Sequence, residues 1–224
     1  MEKIPALISQ TIRNDIADVN RISENAKHVN SVGFKSILTR DVDKNKLVNI
    51  GELLDMSSGE LKATGRSLDL AIGGEAWFLV KSSKGLYLTR DGQFFVHQGK
   101  IVNQDGSVLQ GEAGDISLSS PAIDIDRKGN LLSEEKQLDR ILLIKLEKVK
   151  RKHIQSGMIK VEDMTALSVS NSSQVLQGYL ESSNVDPSRA VTSLMSEKRH
   201  IETMQRTLST YEHVMQKVIS DLGK

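Results

Sequence analysis

Apolar residues recur at helical spacing at the two ends of this chain and at strand spacing between them. Near the start, Ile12, Val19 and Ala26 stand seven residues apart, and Ile8, Ile22 and Val29 hold a companion row that only Asp15 interrupts. Near the end, the seven-residue row is Leu194, Ile201, Leu208, Met215 and Leu222. Its companion is Met204, Tyr211 and Val218, interrupted only by Glu197. Two positions per heptad define the a/d seam of paired helices. One such stripe facing water cannot repay roughly 1 to 2 kcal/mol per residue of backbone ordering without a partner. The two stripes are therefore expected to pack on each other and on neighbouring copies. Asp186 followed by Pro187 supplies the entry to the second helix, because the carboxylate accepts the first free N–H groups and proline fits the first helical position.

Between the stripes the pattern shortens. AWFLV at 76–80, LYLT at 86–89, QFFVH at 93–97, KIVN at 100–103 and SVLQ at 107–110 are rich in β-branched and aromatic residues. Lys84-Gly85, Asp91-Gly92, Gln98-Gly99 and Asp105-Gly106 separate them, which predicts hairpins in an antiparallel β-domain. Five of the eight aromatic residues fall between Trp77 and Phe95, so the main core is expected there. ISLSS, AIDID and ILLIKLE between 116 and 147 are expected to add further strands around Lys128-Gly129-Asn130. Glycine agrees with this division: none precedes Gly33, twelve of sixteen lie from Gly51 to Gly129, and none lies from Tyr179 through Leu222. Glycine costs about 1 kcal/mol relative to alanine inside a helix and serves turns well.

The predicted fold class is α+β, a β-rich centre of antiparallel hairpins flanked by N- and C-terminal α-helices that pair as a coiled coil. The predicted divisions are 1–36 for the first helix and its closing turn, 37–174 for the central domain with linkers, and 175–224 for a turn and the last helix.

Composition removes several function classes. The 224 residues are 38% hydrophobic, enough for a core. Thirty basic against 29 acidic residues give a net charge of +1, so no global field holds nucleic acid or an anionic membrane. With no cysteine there is no disulfide, thiolate-held metal or thiol nucleophile. The first twenty residues lack the apolar core and cleavage site of a secretory signal, and no window reaches 18 uncharged apolar residues. Taken alone, that points to the cytosol.

Candidate chemistry is sparse. His28, His97, His153, His200 and His213 form no HExxH and no i, i+4 pair, so solvated or packed imidazoles are expected. Asp124, Asp126 and Gly129 imitate part of a calcium loop, but Lys128 occupies a ligand position and the distal Glu is missing. Gly73-Gly74 and Gly111–Gly114 make no phosphate loop, and no GxSxG elbow occurs. Asn171-Ser172-Ser173 matches a glycosylation acceptor that chance supplies often. Lys145, Lys148, Lys150, Arg151 and Lys152 form one basic run without interleaved aromatics, read as a solvated edge or loop. No catalytic, cofactor-binding or metal residue is expected. The expected site is an assembly interface on Ile8, Ile12, Val19, Ile22, Val29, Leu194, Ile201, Met204, Leu208, Tyr211, Met215, Val218 and Leu222.

Three segments carry a resemblance. Asn25, Asn30, Gly33, Phe34 and Lys35 are similar to the Asn-rich segment and Thr-Pro-Gly-Tyr/Phe-Lys turn of bacterial flagellar rod and hook proteins, with His28 replacing an Asn and Val32 the Pro. Residues 70–80 and 87–94 resemble the family's Gly-x-Gly-Phe-Phe-x-Val and Tyr-Thr-Arg-x-Gly-x-Phe, with Trp77 for the first Phe and Leu88 inserted. Residues 177–186 resemble Gly-x-Leu-Glu-x-Ser-Asn-Val-Asp almost without change. In the last helix Arg199 and Glu202 fit, while Lys198 and Ile201 replace the family's Gln and aromatic. The resemblance is thin over 37–66 and 134–170.

The resemblance implies a non-enzymatic subunit of the flagellar basal-body rod, exported by the flagellar type III apparatus without a cleaved signal and stacked helically in the periplasm for motility. It implies other copies, other rod proteins and the export apparatus as partners, with no cofactor, nucleic acid or membrane insertion. Short length and residues 199–205 place it nearest the proximal-rod branch. The alternatives are a distal rod or hook-type axial protein, or a β-domain module whose basic run binds an acidic cell-wall polymer. A hydrolase using Asp124 and Asp126 is the weakest reading.

Overall fold

The computed structural model describes residues 3–40, 51–118, 123–133, 136–146, 154–155, 157–162, 167–170 and 172–222. The chain divides into a helical unit of Met1–Lys27 with Asp186–Lys224 and a β unit of His28–Val185.

The helical unit contains α1 (Lys3–Lys27) and α2 (Pro187–Leu222), which pack against each other although they are the ends of the chain. The α2 entry follows its sequence signal. Asp186 Oδ1 accepts the N–H groups of Ser188 at 2.9 Å and Arg189 at 3.1 Å, and the Asp186 carbonyl accepts Ala190 N–H at 3.0 Å. With 36 residues at about 1.5 Å each, α2 runs about 54 Å. Its threonines do not break it, because Thr192, Thr203, Thr207 and Thr210 each donate the hydroxyl to a carbonyl four residues back. α1 stops earlier than its apolar row. Val29 lies beyond the helix end, in a turn closed by Ser31 N–H donating to His28 O, and belongs to the β unit.

The β unit runs β1 (Ile37–Arg40), β2 (Gly51–Leu54), β3 (Leu61–Ala63), β4 (Leu70–Gly73), β5 (Ala76–Ser82), β6 (Gly85–Thr89), β7 (Phe95–His97), β8 (Lys100–Val102), β9 (Val108–Gly111) and β10 (Gly114–Asp115). It continues with β11 (Asp124–Ile125), β12 (Asn130–Ser133), β13 (Lys136–Arg140), β14 (Leu143–Lys145), β15 (Ile154–Gln155), β16 (Met158–Lys160), β17 (Ser168–Val169), β18 (Gln174–Gln177) and β19 (Tyr179–Glu181). Among the described residues every strand pairing is antiparallel.

The main sheet follows the order β15-β16-β6-β5-β9-β8-β7, with β14 also pairing β5. β5 sits at its centre because both of its faces are apolar. Phe78 and Val80 enter one core cluster with Phe94, Ile101 and Leu109, while Trp77 and Leu79 enter a second with Leu88, Ile144 and Ile159. Strand alternation sends successive residues to opposite faces, so an unbroken apolar run is a strand buried on both sides.

The 98–99 hairpin forms as the sequence predicts: His97 faces Lys100 across a two-residue turn with Gln98 at φ 50° and Gly99 at φ 74°. The Asp91-Gly92 break is different. β6 and β7 are not neighbours, and 91–92 is a crossing rather than a hairpin. Leu70 N–H donates to Gly92 O at 2.9 Å, and a β-carbon on Gly92 would lie 1.6 Å from Leu70 O. Glycine is required there because two backbones touch. Residues 174–181, mostly grouped by sequence with the last helix, pair into the β unit instead: β18 with β4 and β19 with β3.

Candidate functional site

The most constrained chemistry lies where the chain enters and leaves the β unit. Lys35, Arg90 and Glu181 are each at most 3% exposed. Lys35 Nζ donates to Glu181 Oε1 at 2.6 Å and Arg90 Nη1 donates to Glu181 Oε2 at 3.0 Å, so one carboxylate binds two cations. The surplus positive charge meets carbonyl dipoles: Lys35 donates to Ser57 O at 2.6 Å, and Arg90 donates to the carbonyls of Ile72 and Gly74. Gly59 N–H adds a bond to Glu181 Oε1 at 2.9 Å. Burial lowers the pKa of the Lys35 ammonium, with Glu181 opposing it by hydrogen bond and charge. Burial lowers Arg90 in the same way.

Around this triad the backbone is fitted closely. Gly33 N–H donates to Glu181 O at 2.7 Å, and Gly33 has φ +65° with a hypothetical β-carbon 2.2 Å from the Arg90 carbonyl carbon. Asn184 accepts Ser36 N–H at 2.7 Å through Oδ1 and donates through Nδ2 to Asp55 O and Ser57 O. The three segments that carry the sequence resemblance thus converge on one buried ionic knot. Its side chains are out of reach of any substrate, and its chemistry is that of a clamp.

The predicted interface residues sit on the helical unit except for Val29. Ile22 is buried; Ile8, Ile12, Val19, Leu194, Ile201, Met204, Leu208, Tyr211 and Met215 are half-buried; Val218 is 44% exposed. The side chain of Leu222 lies outside the described residues. A second apolar set faces outward on the same helices: Leu7, Ile16, Val191, Met195, Val214 and Ile219 are 46 to 66% exposed. The polar interruptions meet. Asp15 and Glu197 come together with His200, one ligand atom from each lying within 4.8 Å of the others. No sequence motif announces this trio; its signal was two acids, each alone in an apolar row.

The remaining candidates are absorbed by local structure. Asp126 caps its own turn, accepting Lys128 N–H at 2.8 Å and Asn130 N–H at 2.9 Å through Oδ1 and Asn130 Nδ2 through Oδ2. That geometry explains the calcium-like spacing as a tight turn. His28 Nδ1 and Ser31 Oγ are 3.0 Å apart in a cleft of about 300 Å³, with the imidazole stacked on Phe34 at 4.4 Å, which closes the turn after α1. Lys145 is exposed with Nζ 3.7 Å from Glu75, while Lys148, Lys150, Arg151, Lys152 and Asn171 lie outside the described residues. Among the described residues, no helix is long and apolar enough to cross a membrane.

Two stretches of the chain match known protein families. Residues 71–136 match the family described as Flagellar hook protein FlgE/F/G D1 domain, and residues 176–222 match Flagellar basal body rod FlgEFG protein C-terminal. The chain is 26% identical over 226 residues to the flagellar basal-body rod protein FlgF of Rhizobium meliloti, covering 92% of this chain and 91% of that protein. It is 25% identical to FlgF of Mesorhizobium japonicum, covering 88% and 90%. Against the flagellar basal-body rod protein FlgG of Bacillus subtilis it is 24% identical, covering 93% and 91%.

Proposed function

The chain belongs to the flagellar basal-body rod protein family, and from that premise we propose that it is a structural subunit of the rod, without enzymatic activity, built into the axial shaft that serves motility. The observation that carries this reading is the outward apolar set on α1 and α2. Six large apolar side chains facing water on two helices that already pack together are an interface awaiting neighbours.

In this reading α1 and α2 pair as a coiled coil through Ile8, Ile12, Val19, Ile22, Leu194, Ile201, Met204, Leu208, Tyr211, Met215, Val218 and Leu222, and the rows they leave uncovered meet other copies and other rod proteins. The same view assigns the turn after α1 and the ionic knot the task of holding the β unit rigid under torque. The subunit leaves the cytoplasm unfolded through the flagellar type III apparatus and stacks in the periplasmic part of the basal body. The absence of cysteine suits passage of an unfolded chain through a narrow export channel, since no thiol can crosslink it. Residues 199–205 favour the proximal rod over the distal rod or hook.

The test is deletion of the gene in its own host, scored for motility and for basal-body morphology by electron microscopy. The expected result is a non-motile strain whose basal bodies stop within the rod, restored by the wild-type chain. Intact rods and normal swimming in the deletion strain would overturn the proposal.

A further inference from the structure

We propose that Asp15, Glu197 and His200 form a binding site for one divalent first-row transition ion, zinc being the probe of choice, that bridges α1 and α2. Asp15 breaks the companion row of α1 and Glu197 that of α2, positions where an apolar side chain would pack better. Packing of the helices brings these two interruptions together, and His200, three residues after Glu197, falls on the same helix face.

Asp15 is only 8% exposed, and its Oδ2 is buried without a hydrogen-bond partner while lying 3.0 Å from His200 Nδ1. A carboxylate oxygen at such burial is costly unless a cation meets it, and the His200 ring nitrogen beside it does so only when protonated. Two carboxylates carry a charge of −2 that one imidazolium leaves half-balanced and one divalent ion cancels. The donor set is one imidazole nitrogen and two carboxylate oxygens, which suits zinc-like ions and offers calcium too few oxygens. The 4.8 Å span of the ligand atoms closes by rotation of the half-exposed Glu197 toward the roughly 3.3 to 3.6 Å edge of a tetrahedron with bonds of about 2.0 to 2.2 Å. Water takes the fourth position, since His200 is 46% exposed at its side chain.

The inference stands on the helix pair and does not depend on rod membership. The full chain, stripped with a chelator, is titrated calorimetrically with Zn²⁺ and separately with Mg²⁺, and its thermal unfolding is followed by helical circular dichroism and by Trp77 fluorescence. One equivalent of Zn²⁺ is expected to bind and to raise the circular-dichroism transition while the fluorescence transition, which reports the β unit, stays in place. Glu197→Gln and His200→Gln change side chains outside any apolar core and keep their helix propensity, so they are expected to fold. Each should weaken Zn²⁺ binding at least by the about 10- to 100-fold that disturbing an outer-shell partner costs. No saturable binding, equal binding of Mg²⁺, or Zn²⁺ affinity unchanged in both variants would overturn the proposal, the last by assigning the metal to the other histidines.

Discussion

The helical unit and the β unit solve the burial problem in opposite ways. In the β unit Trp77, Phe78, Leu88, Phe94, Ile101 and Leu109 are at most 1% exposed, and even Lys35, Arg90 and Glu181 are enclosed. In the helical unit Ile22 is the one apolar residue of the described stripes that reaches full burial, and six large apolar residues remain 46 to 66% exposed. A sheet buried on both faces completes its core within one chain. Two helices cover only one stripe each, so their stability is borrowed from whatever covers the rest. The β unit thus completes its own core, whereas the helix pair leaves apolar rows uncovered, which in the proposed rod subunit would meet neighbours.

The strongest way to break the comparison is to attack the β unit from inside. Glu181→Ala leaves Lys35 and Arg90 buried without their carboxylate, and losing one partner of a buried ion pair costs about 3 to 5 kcal/mol. Urea unfolding followed by Trp77 fluorescence should show that loss; a change below about 1 kcal/mol would mean the knot is solvated and the β unit less self-contained than described.

Leu208→Asp attacks the other side. Leu208 is half-buried, so its packing loss is a part of the about 2 to 5 kcal/mol that truncating a buried Leu to Ala costs, and a carboxylate in an apolar seam adds its desolvation. Rod assembly should be lost while the Trp77 unfolding curve stays unchanged. If normal rods form, this stripe is no assembly interface.

Smaller effects sharpen the picture within the β unit. Gln98 adopts φ 50° in a two-residue hairpin that prefers Asn-Gly. Gln98→Asn should raise stability by up to about 1 kcal/mol, because a long side chain tolerates the left-handed region worse than Asn does. An unchanged or lower urea midpoint would show that the turn is not limiting.

The smallest effect is electrostatic. Partial burial raises the pKa of Asp126, but the hydrogen bonds from Asn130 and Lys128 outweigh it and hold the carboxyl below its ordinary value of 3.8. A folded pKa below the unfolded one contributes stability that is present above pH 3.8 and is lost as pH falls through the folded value. The stability difference between the wild type and Asp126→Asn should therefore be constant at neutral pH and shrink on acidification below about 4. A difference that grows on acidification would reverse the assignment.

Much of this was legible along the chain, and the reason is local. Residues 187–222 form a helix because their heptad, their Asp186 cap and their lack of interior glycine act within a few turns. The hairpins β5–β6, β7–β8 and β8–β9 are legible because each partner is reached through a short turn, as at Gln98-Gly99. β3 and β4 escaped notice because their partners, β19 and β18, lie more than a hundred residues away, and three or four residues carry no periodicity of their own. Asp91-Gly92 misleads for a related reason, since a glycine needed by a turn and a glycine needed by a crossing backbone look alike in sequence.

What the sequence by itself determined is the division of labour: two apolar stripes at the ends, a β-rich centre, and no motif for catalysis, all set by interactions a few residues long. What only the tertiary structure decided is which distant residues meet. Lys35 and Glu181 are 146 positions apart and become a 2.6 Å ion pair, and Asp15 finds Glu197 and His200 only because the two ends of the chain pack together. Such pairings rest on burial, which removes water as a competing partner, and burial is a property of the folded chain that no local window contains.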